Sequence, residues 1–170
     1  LADLAGDSST RDIAAESALT AMAAARLKVL PDAWLHALAA RTRQRGSSID
    51  ETLACIRPLT IPPAKGGALS TELAAVANDE SLARKFRVLA IAAAPSRLGN
   101  VSDAAFEKVI ASLAPEQPAE DRIDAAAALA RLSLDKPQLL QVCTVIGHAG
   151  PLEVDRLLPI FAKVSDEEIG

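Results

Sequence analysis

Two histidines, His36 and His148, and two cysteines, Cys55 and Cys143, are the side chains of this sequence best suited to metal or nucleophilic chemistry. Neither histidine belongs to a His-x-x-x-His or Glu-x-x-His pattern, so a metal site would need the fold to gather residues far apart in sequence. No metal and no cofactor is expected. His148 is expected near a helix C-terminus, where a cation or donor is favourable. The cysteines form neither a metal spacing nor a redox pair. Cys55 lies beside Leu53 and Ile56, and Cys143 falls in an apolar register between Val142 and Ile146, so both read as buried small hydrophobes. Among carboxylates only Asp124, followed by Ala125 to Ala128, has an apolar setting that could serve acid–base work, and a solvent-facing place on its helix is expected. No catalytic residue is assigned.

The segment Pro63-Ala64-Lys65-Gly66-Gly67-Ala68-Leu69-Ser70-Thr71 has the composition of a phosphate loop, but the lysine precedes both glycines and nothing strand-like leads into it. The stretch from Arg57 to Gly67, with Pro58, Pro62 and Pro63, is the longest without helical pattern and reads as a linker. Arg41, Arg43 and Arg45 crowd the end of one helix, where they suit its dipole, and Arg84, Lys85 and Arg87 flank the apolar face of another. Both clusters read as solvated faces. The function they leave open is docking to an acidic partner.

The elements that must position these residues follow from composition. The 170 residues include 36 Ala and 23 Leu against 2% aromatic residues and no Tyr, which favours helices over strands. An all-α fold is expected. A net charge of −4 argues against nucleic acid, whose binding needs a basic footprint. The longest apolar candidate for a membrane span, Ile13 to Leu30, is interrupted by Glu16, Arg26 and Lys28, so no membrane insertion is expected. The opening Leu1-Ala2-Asp3 has neither a basic nor an apolar targeting region, so no targeting peptide is read there.

Pro, Gly and capping residues divide the chain into about nine helical segments. With Ser102 as N-cap, Val101 and Phe106 take the two positions of a hydrophobic staple. With Asp135 as N-cap, Leu134 and Leu139 do the same, and Gln138 can close a capping box. Gly150-Pro151 places proline at the first position of a helix, and Pro118 is expected to do likewise. Apolar residues then recur at helical period: Leu19, Met22, Ala23, Leu27 and Leu30; Trp34, Leu35 and Leu38; Leu53 and Ile56; Leu69, Leu73 and Val76; Leu82, Phe86, Leu89, Ala90 and Ala93.

Superposing the two staples puts Phe106, Val109, Ile110 and Leu113 on Leu139, Val142, Cys143 and Ile146. The intervening helices answer in turn, with Phe86, Leu89, Ala90 and Ala93 on Ile123, Ala126, Ala127 and Ala130, and these on Val154, Leu157, Leu158 and Phe161. Alternation with a drifting period in the thirties is the signature of an α-solenoid of stacked antiparallel helix pairs, HEAT-like or ARM-like. The division expected is a helical cluster over 1–57, a Pro/Gly-rich linker over 58–67 and helical repeats over 68–170. Ser165-Asp166-Glu167-Glu168 has the form of a capping box, which reads as the start of a further helix in a longer array.

The alternation resembles HEAT repeats. Gly150-Pro151-Leu152-Glu153-Val154-Asp155-Arg156-Leu157-Leu158-Pro159-Ile160-Phe161, followed by Ser165-Asp166-Glu167-Glu168-Ile169-Gly170, resembles the helical region of planctomycete-type membrane-bound dehydrogenases. In that family a HEAT-like segment lies between a β-propeller and a haem-bearing cytochrome c domain. The resemblance implies a spacer or docking role and an extracytoplasmic or periplasmic address. No family catalytic residue transfers, because Cys-x-x-Cys-His is absent from this sequence. The function expected is therefore a non-enzymatic scaffold, spacer or docking segment of a larger protein, with neighbouring domains or another chain as partner. The alternative is a HEAT-type enzyme or chromophore-handling protein resembling bilin lyases or alkylpurine DNA glycosylases. The glycosylase version needs a basic channel with aromatic side chains for extruded bases; the lyase version needs a concave pocket, on the second helix of each pair, holding polar groups with perturbed pKa values.

Overall fold

The computed structural model describes residues 17–22, 24, 30–45 and 48–162. The expected start of a helix at Ser165 and the apolar positions Ala23 and Leu27 lie outside the described residues. The described chain is all-helical. After a helical stretch over 17–22 come α1 (Asp32–Gln44), α2 (Ile49–Ile56), α3 (Gly67–Asn78), α4 (Arg84–Ala92), α5 (Asp103–Ala111), α6 (Ala119–Leu129), α7 (Lys136–Ile146) and α8 (Pro151–Phe161). Among the described residues no helix is long and apolar enough to cross a membrane.

The helix boundaries follow local chemistry. Ser102 caps α5 by accepting the Ala105 N–H. Asp135 caps α7 in a complete capping box, with the Gln138 side chain returning to the Asp135 N–H. Phe106 and Leu139 are buried, and Val101 and Leu134 pack partly buried against the same core, as the two staples require. Pro151 opens α8 as its first residue. Pro118 instead stands one place earlier than expected, as the N-cap of α6 with ψ 144°.

Packing alternates. Helix α1 lies on α3 and α3 on α5, while α2 lies on α4, α4 on α6 and α6 on α8. Adjacent helices α1/α2, α3/α4, α4/α5 and α5/α6 also touch. The loops that follow α4 and α6 carry the same Arg-Leu dipeptide, Arg97-Leu98 and Arg131-Leu132, and are joined by an isolated parallel bridge. Leu98 donates its N–H to the Arg131 carbonyl, and Ser133 donates to the Leu98 carbonyl. The core draws on the small residues Ala74, Ala77, Ala90, Ala94, Ala125, Ala126 and Ala128, all buried, which let helix axes approach toward the short end of the usual ~8 to 10 Å. The stretch between α2 and α3 is anchored by buried Ile61 and half-buried Leu59.

The burial of several side chains also departs from the sequence expectation. Cys143 and Leu158 are exposed, because no described helix covers those faces of α7 and α8. Arg87 is buried at 5% exposure, because its side chain turns under α4 and its Nε donates to the Ala77 carbonyl at the end of α3.

Candidate functional site

The face shared by α2, α4 and α6 holds the densest gathering of ionisable side chains around open space. From α2 and its C-cap come Asp50, Leu53, Ala54 and Arg57, at the i, i+3, i+4, i+7 spacing that puts them on one stripe. Helix α4 contributes Arg84, Lys85, Val88 and Leu89 by the same periodicity, and α6 contributes Glu120, Asp121 and Asp124. These residues line two adjoining cavities of about 210 and 200 Å³ that share Lys85, Leu89, Asp121 and Asp124. The floor is apolar, the rim charged. Carboxylates belong to α6 and to Asp50; cations belong to α4 and to Arg57.

Asp124 is not on open solvent as expected. Its side chain is 15% exposed and takes the Arg57 guanidinium in an ion pair. Arg84 donates to the Gln117 side chain at the edge of the first cavity. Buried Ser112, which also lines that cavity, gives its hydroxyl hydrogen to the Lys108 carbonyl at 2.8 Å. Among the described residues no histidine, cysteine or aromatic side chain lines either cavity, and no group of three or more His, Cys, Asp or Glu is placed to hold a metal ion.

The arginines at the end of α1 make exposed or half-buried contacts with neighbouring elements, Arg43 remaining 71% exposed. Arg41 donates to the Ser48 hydroxyl. Arg43 pairs with Glu72 at 2.6 Å, and this contact raises the Arg43 pKa through the hydrogen bond and then the carboxylate charge. Arg45, the α1 C-cap with a left-handed φ of 46°, pairs with Asp79 at 2.7 Å. Asp79 is held below the usual carboxylate value chiefly by the Ser81 hydroxyl at 2.6 Å and next by the Ser81 backbone N–H, with Arg45 adding less. Of the second cluster, Arg84 and Lys85 reach the cavities while Arg87 does not.

His36 and Lys65 meet at a third hollow, of about 270 Å³, between α1 and the segment leading into α3. There Lys65 donates to Asp32 at 2.8 Å, and that hydrogen bond, then the lysine charge, lowers the Asp32 pKa. The Lys65 and Gly66 N–H groups are committed to the Pro62 carbonyl rather than forming an anion cradle. His148 is exposed just past the end of α7 and stands nowhere near this hollow's lining. Sequence reasoning overlooked Asp50, Arg57, Glu120 and Asp121; the helical spacing from Asp50 to Arg57 was the available signal.

No protein-family model matches the chain, and no curated protein or solved structure shows significant similarity to it.

Proposed function

We propose that this chain is a HEAT-type α-solenoid segment that works as a non-enzymatic docking scaffold or spacer within a larger protein. The observation that carries this reading is the packing of alternate helices on one another, α1 on α3 on α5 and α2 on α4 on α6 on α8, with α7 beside α5 through side-chain contacts. The bridge between the two Arg-Leu loops, which follow alternate helices α4 and α6, is consistent with a repeat. The resemblance to the helical region of membrane-bound dehydrogenases gains no support from the comparisons, and the redox context it implies rests on residues 150–170 alone.

In this reading the α2/α4/α6 groove holds an extended peptide segment, its apolar side chains over Leu53, Val88 and Leu89 and its charges on the rim. Panning a random peptide library against the intact chain tests it. Selected peptides should bind the parent and lose at least about tenfold in affinity to Asp121→Arg, a change of ~1.4 kcal/mol. Failure to select any peptide, or binding indifferent to Asp121→Arg and to Leu89→Arg, rejects groove docking.

One observation favours the alternative of a chromophore-handling protein, namely that the two charged cavities lie on the second helices of the pairs. A linear tetrapyrrole that acquired a shifted absorption band on mixing with the chain, abolished by Lys85→Ala, would support it over docking.

A further inference from the structure

Helices α2 and α6 are two steps apart in their series, each packing on α4 between them. In a flat row their axes would stand roughly 16 to 20 Å apart, a gap that an arginine and an aspartate close only when the row curves inward. Arg57 and Asp124 nevertheless meet across the α4 face that carries Lys85 and Leu89. Asp124 lines both cavities, as do Lys85, Leu89 and Asp121, and Arg57 lines the second.

We infer that the Arg57–Asp124 ion pair is a strap that holds this face in its curved form. In a chain where each helix rests on immediate neighbours, bending between layers is the soft motion, so one contact that skips a layer has leverage that a surface pair within a layer lacks. Other charges at the same place do not substitute for it. Lys85 and Asp121 share the cavities without an ion pair within 4.0 Å, and Arg84 is engaged with Gln117. The Arg57 side chain is 44% exposed, so the strap is open to screening and responds to ionic strength. When it releases, the face along Leu53, Leu89 and Val88 opens. The inference rests on the proposed layered solenoid and stands whether or not the groove docks a peptide.

Spin labels at Glu51→Cys on α2 and Ala119→Cys on α6, in a Cys143→Ser background with buried Cys55 retained, read the distance that the strap controls. In low salt the parent should give one short, narrow distance distribution. Arg57→Ala should lengthen it by a few ångström and broaden it, and about 1 M salt, where the screening length falls to ~3 Å, should do the same to the parent. Arg57→Ala should then show no further salt response, and the exchanged pair Arg57→Asp with Asp124→Arg should restore the short distance. An unchanged distance in Arg57→Ala, a salt response that persists in it, or a lengthening that the exchanged pair leaves in place would each overturn the strap; circular dichroism on every variant verifies that the helices are intact.

Discussion

Arg87 shows how far a single side chain can depart from its local pattern. It sits between Phe86 and Val88 with Arg84 and Lys85 one turn earlier, and local charge alone assigns it to the solvated face. What decides its place is the end of α3, whose Ala77 carbonyl is an open acceptor that the Arg87 Nε fills at 2.9 Å. Its Nη2 is buried without a protein partner. A buried guanidinium of this kind contributes little beyond an apolar side chain of the same length, so Arg87→Met should leave stability within about 1 kcal/mol of the parent or raise it. Arg87→Ala, which removes the packed stem as well, should cost about 2 to 4 kcal/mol. Urea denaturation midpoints separate the two. The glycines before and at the start of α3 differ as sharply. A Cβ on Gly66 would stand 2.5 Å from the Pro95 Cγ, whereas one on Gly67 meets nothing within 4 Å. Gly66→Ala should therefore destabilise by about 1 to 3 kcal/mol through overpacking, and Gly67→Ala should stabilise by about 0.3 to 1 kcal/mol through reduced unfolded-state freedom. Equal shifts in thermal midpoint for the two would contradict this assignment of space.

At the scale of the helix, the features decided within five or six residues were legible in the sequence and those decided by a neighbour were not. The Ser102 and Asp135 caps and the proline start of α8 depend only on local spacing, and each is present, and the residues of both staples pack as that spacing requires. Ser102→Ala and Asp135→Ala should each cost about 1 kcal/mol, with Asp135 the larger because its box satisfies two backbone groups reciprocally. Cys143 and Leu158 have helical spacing as good as that of buried Val142 and Leu157, but their faces meet no described helix, and periodicity cannot say which side of an end element is covered. The ionic groove was illegible for the same reason, since Arg57 and Asp124 become partners only through the curvature of three helices. The α3 C-cap carries a pH prediction with a definite sign. Asp79 lies below the 3.8 of an ordinary aspartate because Ser81 hydrogen-bonds its charged form, so the folded state resists protonating it and the unfolded chain does not. The stability linked to it is complete above pH ~4 to 5 and is lost as pH falls through the lowered value. Between about pH 5 and pH 2.5 the thermal midpoint of the parent should fall more steeply than that of Asp79→Asn; parallel curves would show that the charge is not linked to folding.

For the molecule as a whole, the order of packing dictates how stability should be distributed. A closed bundle shares one core, so its best-protected amides exchange together through global unfolding. A stack of helices in which each element rests on its neighbours has stability that accumulates layer by layer and thins where a layer has one neighbour or a poor fit. Helix α7 is the weak layer here. It buries only Leu139 and Val142, leaves Leu140 and Cys143 exposed, and is tied to α5 mainly by the Gln138–Asp103 contact at 3.3 Å and the Gln141–Glu107 contact at 2.9 Å. Helix α6 instead buries Ala125, Ala126, Ala128 and Leu129 between α4 and α8. Native-state hydrogen exchange should therefore find the protected amides of α7 exchanging at least about tenfold faster than those of α6, with α4 as slow as α6. Low urea should speed exchange in α6 more than in α7, because the larger opening exposes more surface. If α4, α6 and α7 shared a single exchange rate with a single urea dependence, the helices would be folding as one closed unit, and the layered solenoid on which the docking proposal rests would be wrong.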